Sequence, residues 1–491
     1  MAQSIDELEP RTLWHYFLEL SKIPRCSKQE QAAIEWIARI AAAHGAETQR
    51  DATGNLLVRI PASKGYEQAP TVALQGHIDM VCEKNADTRH DFSQDPILPV
   101  IDGEWVTAEG TTLGADNGIG VAAGLAFLDS PDCVHGPLEL LVTVDEETGL
   151  TGAFGIEPGF LSADYLINLD SEEIGIFTVG CAGGTDTQIR FRAPRSPAPD
   201  AELLRVTVTG LQGGHSGTDI HKNRGNSIKL LLRILAAALD DPNLGALRLG
   251  PASGGSKRNA IPREASALLA VPAGKGHAFH AAIESTRDRI RTQLAGVDEG
   301  FALRIEDAQS GEAGFCDADA SARMIRMVRA LPAGVAAMNV EIPDLVETSN
   351  NVGVLTDRGD GYEIVCATRS SLAPALRDLL GQLRAVAALA GAEAEHADGY
   401  PGWKPNLQSP LLARAREVHQ RIFDRPAEVQ AIHAGLECGL FTEKYPELDI
   451  ISYGPDIEGA HSPDERVRIE TVQRMWAFTC ALLEDLARRQ P

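Results

Sequence analysis

Seven residues set the chemistry to look for. His77 and Asp79 stand in "GHIDM", Asp116 in "GADNG", Glu146 and Glu147 in "DEETG", Asp170 in "NLD" and His461 in "GAHSPDE". Two imidazoles and several carboxylates suit a divalent ion of the zinc type. One carboxylate can bridge two ions, so five ligands can hold a pair. The stretch "LELLVTVDEETGLTG" sharpens the case. A mostly apolar run reads as a buried strand, and Asp145, Glu146 and Glu147 follow it directly. Three adjacent carboxylates repel one another, and burying any of them is costly without a counter-charge. A pair of cations would supply it. Each motif alone has a plainer reading. "GADNG" is a turn with Asp as helix N-cap, "DEE" a solvated loop, and a lone His at a strand end a structural residue. The joint pattern carries the inference: separate apolar strands that end, one after another, in metal-competent side chains.

Such side chains need a frame. "NLLVRIP", "TVALQGHIDM", "LELLVTV", "DYLINLD" and "LDIISYG" read as short strands. "GIGVAAGLAFLD" and the closing "IETVQRMWAFTCALLEDLARR" read as helices. Near the start, "RTLWHYFLELSKIPRCSKQEQAAIEWIARIAAAHG" reads as two helices, the second opened by a Ser27/Glu30 capping box and stopped at Gly45. Apolar strands alternating with helices predict an α/β domain with a mostly parallel, helix-flanked sheet. Open sheets of this kind place their sites just past the C-terminal strand ends. Between residues 191 and 400 the texture changes, with a Pro-rich break ("APRSPAPD"), half-exposed strands and amphipathic helices. This predicts an inserted α+β lid domain over 191–400, whose repeated theme also fits two similar halves. The catalytic domain would then comprise 1–190 and 401–491.

Length and composition bound the rest. At 491 residues, two or more domains are the default. A formal net charge of -24 argues against nucleic acid or an anionic membrane as partner. No basic start with a long apolar run suggests a signal peptide, and no run suits a membrane span. The eight cysteines are scattered, with no C-x-x-C pair, so reduced thiols in a cytoplasmic protein are expected.

"LQGHIDMVCEKN", "TLGADNGIGVA", "LLVTVDEETGLTGA", "LINLDSEE", "GGHSGTDIHKNRGN", "KRNAIPREA" and "GPDIEGAHSPDERV" together resemble the aminoacylase/carboxypeptidase group of dinuclear zinc peptidases. Within it, the chain is similar to the bacterial aminoacyl-histidine (Xaa-His, carnosinase-like) dipeptidases over essentially its whole length. The resemblance implies that His77 and Asp170 hold one ion, that Glu147 and His461 hold the other, and that Asp116 bridges them. It implies a cis Asp116–Asn117 peptide. Asp79 would orient His77, and Glu146 would be the general base. His215 in "GGHSG" would stabilise the oxyanion, and Asn259 and Arg369 would bind substrate, the Arg as a fork for a dipeptide carboxylate. The cofactors would be two divalent ions, zinc first, with manganese and cobalt compatible. The implied reaction is metal-dependent hydrolysis of dipeptides, preferentially Xaa-His. A broader dipeptidase, aminopeptidase or N-acyl amino acid hydrolase is the nearest rival, and a metal-binding assembly protein without turnover is a remoter one. A general base argues against the latter, since a scaffold needs ligands only. Many relatives dimerise through the lid, so a homodimer is open, as is an enlarged lid that takes the partner's place. "HAGLECGLF" suggests a pocket wall with no assignable role.

Overall fold

The computed structural model describes residues 4–308 and 314–488. The chain forms two compact units. One comprises Met1–Gly180, Pro405–Ala431 and Leu436–Pro491, the other Cys181–Lys404 and Ile432–Gly435.

The first unit is built on an eight-stranded sheet. Its spatial order is Glu47–Arg50, Leu56–Ile60, Leu138–Thr143, Val72–His77, Tyr165–Asn168, Asp449–Ser452, Ile176–Cys181 and Glu428–Ile432. The four central strands, 138–143, 72–77, 165–168 and 449–452, run parallel. Leu56–Ile60 and Glu47–Arg50 are antiparallel on one flank, and Ile176–Cys181 is antiparallel on the other. The expectation of a mostly parallel sheet therefore holds at the centre, where the strands are covered on both faces and every residue of 72–77 and 138–143 is buried. The helix Ala115–Ala126 packs on this centre and owes its closeness to its glycines. A Cβ at Gly124 would lie 2.3 Å from Leu140 Cδ1. The helix Ile469–Arg488 closes the unit.

Two sequence expectations are corrected here. Ser27 does not cap the second helix. That helix is Gln31–Ala43, Glu30 precedes it, and Ser27 Oγ instead donates to Asp79 Oδ2 at 2.7 Å. Nor are all eight cysteines separate thiols. Cys26 is bonded to Cys82 and Cys133 to Cys480, while Cys181, Cys316, Cys366 and Cys438 take part in no disulfide and are buried. The partners lie 56 and 347 residues apart in sequence, so only the fold could pair them.

The second unit holds a sheet of nine strands whose registered pairs are all antiparallel. The helices Ser227–Leu239, Gly276–Gln293, Ala318–Ala330 and Ala373–Leu389 share one apolar core with it. Asn226 caps the first of these helices by accepting from Lys229 N–H, and Asp317 caps the third through Ala320 N–H.

Candidate active site

The first unit gathers its candidate ligands at the C-terminal edge of the parallel strands. His77 is the last residue of its strand, and Glu146, Glu147 and Asp170 follow theirs by two to four positions. Asp116 departs from the strand-end pattern. It lies in the first turn of the Ala115–Ala126 helix, next to the cis Asp116–Asn117 peptide. His461, also expected at a strand end, lies instead in the loop after Ile457–Glu458 with a left-handed backbone. Gly76 is required beside His77, because a Cβ there would sit 2.1 Å from Asn117 Oδ1.

Asp116 stands between two half-sites. Its Oδ1 lies 3.0 Å from His77 Nε2, and its Oδ2 lies 3.1 Å from His461 Nε2. His77 Nε2 is also 3.2 Å from Asp170 Oδ1, and His461 Nε2 is 3.0 Å from Glu147 Oε2. Each imidazole thus aims one nitrogen at a pair of carboxylates. Ligand atoms of His77, Asp116 and Asp170 lie within 4.8 Å of one another, as do those of Asp116, Glu147 and His461. Glu147 Oε1 is buried and has no hydrogen-bond partner among the described residues, so the cluster has acceptor capacity to spare.

Protein charges alone do not satisfy this site. Burial opposes charging His77, yet Asp170, Asp116 and Asp79 outweigh it and hold its pKa well above the usual range. Hydrogen bonds to Asp116 and Glu147 raise His461 to about 11. Burial lifts Asp170 to about 7 and pushes Glu146 well above an ordinary carboxylate. Asp116 goes the other way: burial would raise it, but His461 and His77 hold it low. Carboxylates drawing protons toward two histidines is the behaviour of an anionic cluster short of cations. Divalent ions would relieve both sides at once, so the donor set fits them.

Asp79 touches both the histidine and the acidic turn. Its Oδ1 is 3.3 Å from His77 Nδ1 and accepts from Glu146 N–H at 3.0 Å; its Oδ2 accepts from Glu147 N–H at 3.2 Å. Its pKa is lowered to about 2, since the bonds from His77, Ser27 and Glu146 outweigh burial. No side-chain hydrogen bond to the Glu146 carboxylate is found among the described residues, and one of its oxygens lies within 4.8 Å of ligand atoms of His77 and Glu147.

Two groups that sequence reasoning missed hold the frame. Glu465 is 2% exposed and accepts four backbone N–H bonds. Leu113 and Gly114 donate to Oε2 at 2.7 and 2.8 Å, Ala115 and Asp116 to Oε1 at 2.7 and 3.1 Å. Arg25, also buried, donates to the carbonyls of Ile78 and Gly114 at 2.8 and 2.6 Å. It thereby joins the His77–Asp79 segment to the Asp116 turn. The only sequence signal was a lone "DE" after His461 and an Arg before Cys26, neither distinctive.

The lid candidates lie in the second unit. His215 pairs with Ala260, and Ser216 N–H donates to the Asn259 carbonyl at 2.8 Å, so His215 and Asn259 are neighbours. Arg369 lies on the Gly361–Ser370 strand, is 8% exposed, and donates to Tyr400 Oη at 2.9 Å. Its charge is close enough to reinforce burial in lowering the pKa of His215. The Arg369 Nε is buried and has no hydrogen-bond partner among the described residues. His433, absent from the sequence-based set, belongs to this cluster. It is buried, bonds Ser349 Oγ at 2.7 Å, and is held at about 3 by burial and by Arg369. The "GGHSG" glycines have a steric reason: a Cβ at Gly217 would lie 2.3 Å from the His433 carbonyl oxygen.

The family model for Peptidase family M20/M25/M40 matches residues 73–485, a span that takes in every candidate ligand, Glu146 and the lid candidates, though not Arg25. The chain belongs to this peptidase family. It is 44% identical to the cytosol non-specific dipeptidase of Escherichia coli strain K12 over 98% of this chain and 99% of that one. It superposes on the crystal structure of the aminoacylhistidine dipeptidase from Vibrio alginolyticus with a TM-score of 0.91, at 45% identity and 98% coverage of both chains. A tripeptidase from Staphylococcus aureus shares the M20 fold alone, with a TM-score of 0.56 and 16% identity over 98% of this chain and all of that one.

Proposed function

We propose that this M20 metallopeptidase is a dipeptidase that cleaves Xaa-His, carnosine-like dipeptides by preference, with two divalent ions at the Asp116 centre. The observation that supports the two-ion centre is the split of Asp116: one oxygen faces His77 and Asp170, the other His461 and Glu147; the Xaa-His preference rests on the resemblance alone. His77 and Asp170 would hold one ion, His461 and Glu147 the other, and Asp116 both. Bound there, the ions would acidify a water and polarise the scissile carbonyl. Zinc suits two imidazoles with carboxylates, and manganese and cobalt are compatible.

The chain's own residues do the remaining work. Asp79 holds the His77 ring and fixes the backbone of Glu146 and Glu147. Glu146, the general base, takes the proton of the attacking water and passes it to the leaving amine. His215 is assigned to the oxyanion, with Asn259 and Arg369 on the substrate. The buried Arg369 guanidinium donates to a phenol, Tyr400 Oη, and would present its remaining donors to a substrate carboxylate.

Dipeptidase activity is common to the names of both near relatives, but their names differ in breadth: one is called non-specific, the other aminoacylhistidine. Broad dipeptide hydrolysis is accordingly the second reading. The reading places the enzyme in the cytoplasm, in line with the name of the E. coli relative. Among the described residues no helix is long and apolar enough to cross a membrane.

The test is a panel of Xaa-His dipeptides, other dipeptides, tripeptides and N-acyl amino acids with metal-replete protein. Xaa-His dipeptides should show the highest kcat/KM, and a chelator should abolish turnover until zinc, manganese or cobalt is restored. Equal rates across all dipeptides would favour the broad reading. Full turnover by protein shown to be metal-free would falsify the metal centre.

A further inference from the structure

Beneath the metal-site residues the central sheet carries a row of polar side chains where an apolar core is the rule. Gln75, Thr143, Asn168 and Ser452 stand on the four central strands, and all are fully buried. They are near-neighbours in register: Gln75 pairs with Asn168, Asn168 with Ser452, and Thr143 with His77. Three of them closely precede candidate site residues, two ligands and the general base. Gln75 is two residues before His77, Asn168 two before Asp170, and Thr143 three before Glu146.

The row is joined by hydrogen bonds. Asn168 Nδ2 donates to Gln75 Oε1 at 2.6 Å, Ser452 Oγ donates to Asn168 Oδ1, and Ser171 Oγ bonds Ser452 Oγ at 2.8 Å. At its head is Glu437, from the "HAGLECGLF" stretch and fully buried. One oxygen, Oε2, accepts from Gln75 Nε2 at 2.6 Å and from Thr143 Oγ1 at 2.8 Å. A buried polar network costs stability unless it is satisfied, and when satisfied it enforces one arrangement.

We propose that Glu437 is a positioning residue for the metal centre: through Gln75 and Thr143, and from Gln75 on to Asn168, it locks the strand ends that carry His77, Glu146 and Asp170. This rests on the ligand assignment given under the proposed function. The lock needs an acceptor at Oε2, and a glutamine can offer one. Burial, which raises Glu437 to about 8, agrees with a role that does not depend on its charge.

The test compares variants of the full chain. Zinc bound per chain is measured against a fixed competing chelator, with kcat and KM on one dipeptide. Glu437→Ala should lower zinc affinity and kcat by roughly 10–100-fold, the usual cost of losing a residue that orients ligands, with KM changed less. Glu437→Gln should keep both within about threefold, since its amide oxygen still accepts. Glu139→Gln is the control. Glu139 is equally buried in the same sheet but bonds Ser162 at the far strand end. It should lose thermal stability and keep its zinc. The proposal is overturned if Glu437→Ala binds zinc and turns over like wild type. It is equally overturned if Glu437→Gln falls as far as Glu437→Ala, or if Glu139→Gln loses zinc to the same degree. Should Glu437→Ala fail to fold, Thr143→Val removes one donor alone; zinc affinity must then drop severalfold, and wild-type affinity overturns the proposal. His77→Ala reports separately on the ligand assignment. If it retains zinc as wild type does, that assignment fails whatever Glu437 does.

Discussion

At the scale of single residues, the neighbours Glu146 and Glu147 are chemically alike and differently used. Glu147 Oε2 faces His461 at 3.0 Å, whereas the Glu146 carboxylate accepts no hydrogen bond among the described residues and lies nearer His77. Glu146→Gln should therefore keep its metal and lose kcat by roughly 10²–10⁴-fold, the range for a missing general base. Glu147→Ala should lose metal affinity itself, with partial rescue by added metal. Elemental analysis and kinetics on both variants decide it, and metal loss in Glu146→Gln with retention in Glu147→Ala would reverse the two roles. Glu465 acts one step further out. Glu465→Ala strands four N–H groups, three of them buried, in the turn that carries Asp116. A loss of at least about 3 kcal/mol is expected in denaturant unfolding, because each buried unpaired group costs about 1–3 kcal/mol. A wild-type unfolding midpoint would show that water replaces the carboxylate at no cost.

At the scale of elements, the acidic turn is held from behind by packing. The short helix Thr151–Gly155 meets the backbone of the turn at Gly152. A Cβ there would lie 2.5 Å from the Val144 carbonyl oxygen and 2.7 Å from Val144 N. Backbone atoms cannot swing aside as a side chain can. Gly152→Ala should therefore shift the turn bearing Glu146 and Glu147, costing roughly 1–3 kcal/mol of stability as overpacking does and reducing kcat as well. Thermal unfolding and steady-state kinetics read the two effects. A variant that loses stability with undiminished kcat would show that the shift is absorbed elsewhere.

For the molecule as a whole, stability should depend on pH through His433. Its folded pKa of about 3 lies below the ordinary 6.5 because burial and Arg369 disfavour its cation. Between these values the unfolded chain binds the extra proton, so stability rises with pH. The contribution is complete above about pH 6.5 and is lost as pH falls toward 3. At pH 5 the loss from this one group is roughly 2 kcal/mol by linkage. Replacing His433 with Asn should flatten that part of the curve, read as the wild-type-minus-variant difference in urea midpoint from pH 7 to pH 4. A difference that does not vary with pH would show that His433 is not held neutral.

Much of this molecule was legible in one dimension. The apolar runs ending in His77, Glu146, Glu147 and Asp170 declared the strands and their functional ends, because a strand buried on both faces is mostly apolar, its few polar positions being hydrogen-bonded. The helix after "GADNG" was legible for the same reason. Other features were decided only in three dimensions. Ser27 and Glu30 had the spacing of a helix cap, but a buried carboxylate at Asp79 claimed the Ser27 hydroxyl instead. Cys133 and Cys480 could not be paired on paper, since nothing local joins residues so far apart. Glu437 and Glu465 looked like two acids among the 69 acidic residues of the chain. What distinguishes them is the set of donors that folding brings to them, from strands and turns some 290 to 360 residues away in sequence. Sequence alone determined which side chains could do the chemistry and which elements carry them. Tertiary structure decided which polar groups are buried against which, and a carboxylate's role depends on its buried partners.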